Sequence, residues 1–166
     1  SYSGTQRQRI ARLNTDGSLD DTFDSSSGTG GVTYPHVFAI AIQPDEKILI
    51  GGSFTSYAGT QRQYIARLNT DGSLDDTFNS SSGANDSVSS ISIQSDGKII
   101  IGGYFTSYAS SPRQYIARLN TNGSLDGTFD SSLGASNAVR AISIQPDGKI
   151  LVGGAFTSYA SSPRQY

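Results

Sequence analysis

The chain has 166 residues, a formal net charge of −2 and no cysteine. Nucleic acids and anionic membranes attract basic surfaces, so this charge favours neither as a partner, and the lack of cysteine excludes disulfides, thiolate metal sites and cysteine nucleophiles. No apolar run approaches the roughly 20 residues of a membrane span. The 19 glycines, among many Ser, Thr and Asn residues, favour strands and turns over helices.

One pattern occurs three times in this chain. The segment FTSYA aligns Ser56, Ser107 and Ser158, which are 51 residues apart. The first copy is four residues longer, because GTGGVTYPHV stands where the second copy has GANDSV. We therefore predict a single array of three repeats and the start of a fourth: 1–55, 56–106, 107–157 and 158–166. Since the last nine residues correspond to the first nine, we expect the array to be part of a longer chain or assembly.

Each copy opens with two predicted strands and a tight turn, described here for the middle copy. Val88–Gln94 alternates isoleucines with smaller residues, which predicts the first strand. Asp96 and Gly97 form the dipeptide typical of two-residue hairpins. Lys98–Phe105 follows as the second strand, and its three consecutive isoleucines predict burial on both faces. In the first copy Glu46 replaces the glycine, although glutamate resists positive φ.

The second half of each copy predicts two further strands. Thr106–Gln114 is polar and predicts a wide turn. Tyr115–Asn120 is predicted to be the third strand, and the segment TNGS a second tight turn. Leu125–Phe129 is predicted to be a short outer strand.

Four antiparallel strands in about 50 residues, with a glycine pair ending the second, are typical of a propeller blade. The predicted fold is all-β, a β-propeller-like array of four-stranded antiparallel blades. The first strand should lie nearest the axis, because it carries small residues such as Ser90 and Ser92. A β-solenoid is less compatible, since its coils are usually shorter, and an open superhelical stack of the same blades stays as an alternative.

Three blades do not close a ring, since propellers typically use four to eight. A blade is apolar on both faces, so the end blades need a cover, either further repeats of the same chain or another copy. Residues 10–23 supply the outer half of a blade, and residues 137–157 supply the inner half. Head-to-tail pairing of these halves between chains would close into a ring, with about six blades from two chains, or continue as a filament.

A longer motif resembles a known bacterial repeat. Residues 145–156 read QPDGKILVGGAF, and residues 116–129 read IARLNTNGSLDGTF. This motif is similar to the signature of the delta-60 repeat, and the similarity covers the whole chain. The resemblance implies a β-propeller module of a large secreted or cell-surface protein, with no shared catalytic residue. Glu46 and Ser95 depart from the signature without threatening the fold.

The segment NTDGSLDD, at residues 14–21 and 69–76, resembles a calcium loop. Calcium prefers oxygen ligands at alternating positions. The candidate ligands are Asp16, Asp20, Asp71 and Asp75. The segment lacks the leading aspartate and the distant bidentate glutamate of such loops, so a hairpin turn with Asx hydrogen bonds is favoured. We expect no cofactor.

Two sets of residues are candidates for ligand binding. Tyr34 and His36, the single histidine, lie on the insertion, where a loop at a propeller rim could recognise a ligand. A tolerated loop extension is the favoured interpretation. Tyr57, Tyr108 and Tyr159 recur in the TSYA segment and could form a carbohydrate-binding ring. Packing between blades, with the hydroxyls reaching water, is favoured for these three.

Arginine and aspartate recur on the third and fourth predicted strands. The arginines are Arg12, Arg67 and Arg118, and the aspartates are Asp20, Asp75 and Asp126. They could form a charged stripe for a partner. Cross-strand ion pairs that set the register are favoured.

These observations favour a non-enzymatic structural or interaction module of an extracellular, cell-surface or appendage protein. It would associate with itself or with neighbouring repeats, and a surface protein or glycan is a further candidate partner. The alternative is a ligand-binding propeller domain of a secreted protein, with carbohydrate or protein as the ligand. An enzyme is disfavoured, because the sequence shows no cluster of acids or histidines suited to hydrolysis.

Overall fold

The computed structural model describes residues 7–25, 28–79, 82–160 and 162–163. Within these ranges every regular element is a β-strand, so none of them is a helix able to cross a membrane. The predicted all-β fold is therefore confirmed. Residues 161 and 164–166 of the predicted fourth copy lie outside the described part.

The strands are short and all their pairings are antiparallel. In chain order they are β1 (Thr29–Gly30), β2 (Val37–Ile42), β3 (Ile48–Gly52), β4 (Ser56–Tyr57), β5 (Thr60–Gln61), β6 (Ile65–Leu68), β7 (Val88–Ile93), β8 (Ile99–Gly103), β9 (Ser107–Tyr108), β10 (Ser111–Pro112), β11 (Ile116–Leu119), β12 (Val139–Ile144), β13 (Ile150–Gly154), β14 (Ser158–Tyr159) and β15 (Ser162–Pro163).

Two blades and two half-blades follow one another along the chain. Blade 1 has the strand order β2-β3-β6, and blade 2 has the order β7-β8-β11. The C-terminal half-blade is the hairpin β12-β13, which corresponds to the two inner strands of a blade. The N-terminal half-blade is residues 10–23, which correspond to the third strand and outer segment and are joined by the bridge Leu13–Leu19.

The blades stack face to face around their first strands. β7 lies against β2 on one side and against β12 on the other. The Ser92 hydroxyl donates a hydrogen bond to the Ile142 carbonyl across 3.0 Å, which links β7 to β12 directly. Small side chains on the first strands permit this approach, so these strands lie nearest the axis, as the sequence predicts. This is the arrangement of consecutive propeller blades.

The second strand of each blade is buried on both faces. All five residues of β3 and of β8 are buried. Leu49 packs with residues of blade 2, whereas Ile48 and Ile50 pack with the N-terminal half-blade. Alternate side chains on one strand therefore enter two different cores, which is why uninterrupted apolar runs occur at these positions.

The turn between the first and second strands differs from the predicted two-residue hairpin. The Gly97 amide donates to the Gln94 carbonyl at 2.9 Å, and the Gln94 amide donates to the Lys98 carbonyl at 2.8 Å. Gly97 has a φ of 81°, while Asp96 is not among the residues with positive φ. These contacts form a three-residue loop with a glycine bulge, because Asp96 uses its side chain to accept the Lys98 amide.

The predicted wide turn contains a second small hairpin. In blade 2, β9 pairs with β10, and the two residues between them, Ala109 and Ser110, have φ of 47° and 63°. Positive φ at both central positions is the signature of a type I′ turn. Ala84 adds a bridge to Tyr108, and in the first copy the insertion extends this bridge into the strand β1, which pairs with β4.

The predicted outer strand Leu125–Phe129 is wrong beyond its first residue. Leu125 bridges to Leu119, but the chain then turns. An Asp126 carboxylate oxygen accepts hydrogen bonds from the Thr128 amide at 2.9 Å and from the Thr128 hydroxyl at 2.7 Å. Because the aspartate occupies the amide that a strand would offer to a neighbour, the segment curls and directs Phe129 inward.

Glu46 provides a test of turn strain. It adopts a φ of 64°, at the position where Gly97 and Gly148 both adopt 81°. A side chain in this region costs roughly 1–2 kcal/mol, part of which glycine loses again through its greater freedom when unfolded. We predict that Glu46→Gly raises the free energy of unfolding by about 1 kcal/mol in urea titrations at fixed protein concentration.

The reverse change is the matched control. A Cβ atom built on Gly148 meets no atom within 4 Å, so Gly148→Glu tests backbone strain without a clash. It should lower the free energy of unfolding by a similar amount. If the Glu46→Gly variant is no more stable than the parent chain, the positive φ of Glu46 does not strain the turn.

Candidate functional site

The recurring arginine of the third strand joins each blade to the next. In blade 1, the Arg67 Nε donates to Asp75 Oδ2 at 2.7 Å within the blade. Its Nη1 donates to the Thr121 carbonyl of blade 2 at 2.6 Å. Its Nη2 donates to the Thr77 hydroxyl at 3.1 Å. One guanidinium therefore fixes its own outer segment and the turn of the neighbouring blade at the same time.

The cation also lies on an aromatic ring. The Arg67 guanidinium carbon is 5.0 Å from the centre of the Phe78 ring. Lys47 approaches the same carboxylate, with Nζ 2.7 Å from Asp75 Oδ2. The side chains of Arg67 and Asp75 are only 8% and 4% exposed. Charges this deeply buried are stable only when paired, and here each has several partners.

The ion pair and the contact with a phenylalanine ring occur at each equivalent position of the described chain, and the hydrogen bond to the next blade occurs for Arg12 and Arg67. Arg12 and Arg118 each pair with the aspartate eight residues later at 2.7 Å, and each lies 5.0 Å from its own phenylalanine ring. Arg12 also donates to the Thr70 carbonyl of blade 1. The recurring charges therefore form ion pairs within blades and hydrogen bonds between blades.

These contacts set the acidity of the aspartates. Burial alone would raise the pKa of Asp75, but hydrogen bonds from Lys47, Thr77 and Arg67 outweigh burial and hold that pKa well below its usual range. In blade 2, hydrogen bonds from Lys98, Thr128 and Arg118 hold the pKa of Asp126 well below its usual range as well. Both carboxylates stay ionised at neutral pH.

The turn after the third strand completes the contact between blades. The Asn79 amide of blade 1 donates to the Asn122 carbonyl of blade 2 at 2.8 Å, and the Asp24 amide makes the same bond to Asp71. A Cβ on Gly123 would lie 2.9 Å from the Phe78 ring, so the turn presses its backbone onto that ring. The regular recurrence of the NTDG and NTNG turns is the sequence signal of this contact, although the residues alone predict only a tight turn there.

Two of the three recurring tyrosines are interior. Tyr57 and Tyr108 are each 1% exposed, and their hydroxyls donate to the Gly72 and Gly123 carbonyls at 2.8 Å. Burial, with the nearby carboxylates of Asp24 and Asp71, raises the pKa of Tyr57 to about 12. In these positions neither ring offers a face to a ligand. The prediction that the hydroxyls reach water is wrong for both residues, because each hydroxyl donates to a backbone carbonyl in the interior.

Tyr159 differs because it belongs to the C-terminal half-blade. It is half-buried and lines an open apolar cavity with Phe129 and Phe156. Burial raises its pKa as well.

The insertion carries the remaining ligand-binding candidates. Tyr34 is 77% exposed. The His36 and Phe38 rings stack 5.9 Å apart with an angle of 9° between their planes. Ser53 anchors the loop, accepting a hydrogen bond from the His36 amide at 3.1 Å and donating one to the Tyr34 carbonyl at 3.3 Å. Strand β1 of the insertion pairs with β4 and places Thr29 opposite Tyr57, but the Tyr57 ring is buried, so it shares no exposed surface with Tyr34.

The calcium candidates use their oxygens within the turns. Asp16 accepts from the Ser18 amide and hydroxyl, and Asp71 accepts from the same groups of Ser73. Asp20 and Asp75 bind the arginines, and the Thr22 hydroxyl and amide with Arg12 lower the pKa of Asp20 to about 2. Within the described ranges no cluster of three or more His, Cys, Asp or Glu side chains is placed to hold a metal.

Comparison with protein families agrees with this geometry. A family model described as "Domain of unknown function (DUF5122) beta-propeller" matches residues 1–23, 43–78, 94–129 and 145–166, which together form most of the chain. The chain belongs to the DUF5122 β-propeller family. In this chain the matched segments contain the hairpin turn, the second and third strands and the arginine contacts. No curated protein matches the chain.

The buried carboxylate of Asp75 generates a prediction about acid. Its folded pKa lies below its unfolded value of about 3.9, so the unfolded chain binds the proton first as the pH falls. The stability that Asp75 contributes is complete well above pH 4 and is lost as the pH falls below 4. Asp75→Asn should cost about 3 kcal/mol at pH 7, because Arg67 and Lys47 lose their counter-charge, and should flatten the stability profile below pH 5.

Thermal unfolding between pH 2 and pH 7 measures both effects. Asp147→Asn is the control, since both side chains of its pair with Lys149 are exposed, at 52% and 75%, and we expect a change within about 1 kcal/mol. Equal acid sensitivity of the parent chain and the Asp75→Asn variant would refute the role given to this carboxylate.

Proposed function

We propose that this chain is a non-enzymatic structural and interaction module of an extracellular, cell-surface or appendage protein. It acts by stacking blades face to face and by presenting loops at the rim. The observation that supports this function is the hydrogen bonding of Arg67. Its guanidinium donates to Asp75 and Thr77 of its own blade and to the Thr121 carbonyl of the next blade. The recurring arginines Arg12 and Arg67 thus donate hydrogen bonds to the neighbouring blade and not to a ligand.

The proposed location rests on sequence. The QPDGKILVGGAF motif resembles the delta-60 repeat of large bacterial secreted and surface proteins, and the composition is rich in Ser, Asn and Gly. The proposal assigns no catalytic residue. His36 stacks on Phe38, and Asp75 and Asp126 are held by arginine and lysine.

Localisation in the source cells tests the proposal. Antibodies raised against the purified chain should detect it on intact cells or in the culture medium, and external protease should remove the cell-bound signal. A cytoplasmic protein of known abundance, followed in the same fractions, is the control for lysis. Recovery of the chain only in the cytoplasmic fraction would overturn the proposed setting.

A ligand-binding module is the second candidate, supported by the insertion. Tyr34 is exposed, and the rings of His36 and Phe38, two and four positions later in the chain, stack into an aromatic patch. Such a patch suits the face of a sugar ring or an apolar side chain of a protein.

A glycan array tests this alternative. Binding that is lost in Tyr34→Ala and His36→Ala, with unchanged thermal unfolding, would support it. Tyr108→Phe is the control, because its buried ring should affect stability and not binding. Absence of binding across the array would count against carbohydrate as the ligand.

A further inference from the structure

The C-terminal end of the array carries an incomplete core. A cavity of about 480 Å³ opens there. Six of its lining residues are Ile116, Phe129, Ile150, Val152, Phe156 and Tyr159. Each corresponds, 51 positions earlier, to a residue of the closed core between blades 1 and 2. The third strand of the later blade also supplies Ala117 and Leu119 to that closed core.

The N-terminal half-blade carries the two side chains that this cavity lacks. Ala11 and Leu13 are the equivalents of Ala117 and Leu119 in the repeat. Leu119 and its counterpart Leu68 are fully buried, whereas Leu13 is 49% exposed. Ala11 is exposed too, although its counterparts in both complete blades are buried. The same face of the third strand is therefore covered in blades 1 and 2 and bare in the half-blade.

The inner strands at both ends of the array also carry exposed apolar side chains whose equivalents elsewhere are buried. Ile40 and Ile42 of β2 are 54% and 65% exposed, while their equivalents on β7 and β12 pack against the preceding blade. Leu151 of β13 is 56% exposed, while its equivalents Leu49 and Ile100 are fully buried. Ile40 and Ile42 line a cavity of about 110 Å³ with residues of the N-terminal half-blade. The repeat places Leu151 of an adjoining half-blade in this cavity.

Polar groups match as well. Arg12 and Arg67 donate to the Thr70 and Thr121 carbonyls of the blade that follows each of them. The equivalent acceptor for Arg118 is a threonine carbonyl in the next turn of the same type, and in a second copy that residue is Thr15. In the same way, the amide bonds of Asp24 and Asn79 to the neighbouring turn predict a bond from the Asp130 amide to the Asp16 carbonyl of a second copy.

The free edge of β13 completes the match. β3 and β8 each pair with a third strand, whereas β13 pairs with β12 alone within the described part. The register of β3 with β6 and of β8 with β11 aligns Ile50 with Ala66 and Ile101 with Ala117. Applied to a second copy, this register aligns Val152 with Ala11 and places residues 10–13 along the free edge.

We propose that two copies of this chain bind head to tail, each supplying the outer half of a blade to the inner half of the other. The inference rests on the scaffold function proposed above and names its partner. The 166 residues supply two complete blades and two halves, so two copies of this segment supply a ring of six blades. That number lies within the usual range of four to eight, whereas three copies would give nine.

One feature of the junction lowers its affinity. Residues 158–166 correspond in sequence to residues 1–9, so each junction contains this segment twice. The repeat has one position for this segment in each blade, so the second occurrence is redundant at the junction. The association should therefore be measured over a wide range of concentration.

Analytical ultracentrifugation of the purified 166-residue chain is the first experiment. We expect a species of twice the 17.5 kDa chain mass at micromolar concentration. Leu151→Asp and Ile42→Asp should each weaken association about 100-fold or more, because each would bury an unpaired charge at the junction. Leu133→Asp is the matched control, since Leu133 is 69% exposed and its equivalent is the exposed Ser82.

Cysteine cross-linking tests the register independently of affinity. The chain has no cysteine of its own, so a disulfide can form only between introduced residues. Directly opposed residues in a hydrogen-bonded antiparallel pair lie about 5.5 Å apart at Cα, which a disulfide can span. A mixture of Val152→Cys chains and Ala11→Cys chains should give a covalent dimer of one chain of each kind. Asp21→Cys, on an exposed turn, should not replace Ala11→Cys.

Each outcome decides between occupants of the end faces. A cross-linked dimer that Leu151→Asp disrupts supports the proposal. A monomer at all concentrations overturns it and assigns the end faces to other repeats, and open filaments overturn the closed ring. Surface localisation is a separate measurement, so the scaffold function can survive the failure of the dimer, and the reverse also holds.

Discussion

The structure depends on one constraint, which is that every blade is apolar on both faces. Ile99, Ile100 and Ile101 are consecutive and fully buried, and they enter two different cores. A sheet of this kind cannot keep either face dry by itself, because burial of each large aliphatic side chain contributes roughly 1.5–3 kcal/mol only when a neighbour covers it. A blade therefore needs a neighbour on each face in order to fold. In any array, the outer faces of the two end blades still have to be covered.

Polar contacts between blades give this stacking a unique register. Apolar faces alone would tolerate sliding, because aliphatic packing is not directional. Arg67 restricts the choice, since its guanidinium must meet Asp75, the Phe78 ring and the Thr121 carbonyl together. A shift by one residue would leave a buried cation without partners, which is far more costly than a poorly packed methyl group.

Because the recurring residues make the contacts within and between blades, they are poor guides to a ligand site in such a protein. Arg67, Asp75 and Tyr108 recur because each blade needs them for its own structure and its neighbour's. Residues that occur in one copy of the repeat only are not needed for these structural contacts. Tyr34 and His36 occur once, on an anchored and exposed loop, and this is where an added function can be carried without disturbing the blades.

The sequence by itself determined the all-β fold, the length of the repeat, the position of the small first strands near the axis and the pairing of arginine with aspartate, because period and composition are local properties. The three-residue loop at Gly97 and the curled segment after Leu125 come from hydrogen bonds between residues two positions apart, so they are local too, although the alternation of the strands does not reveal them. The burial of Tyr57 was decided by tertiary structure, because its hydroxyl donates to the Gly72 carbonyl 15 residues away. The arginine contact across blades belongs to the same class, since its acceptor lies 54 residues away.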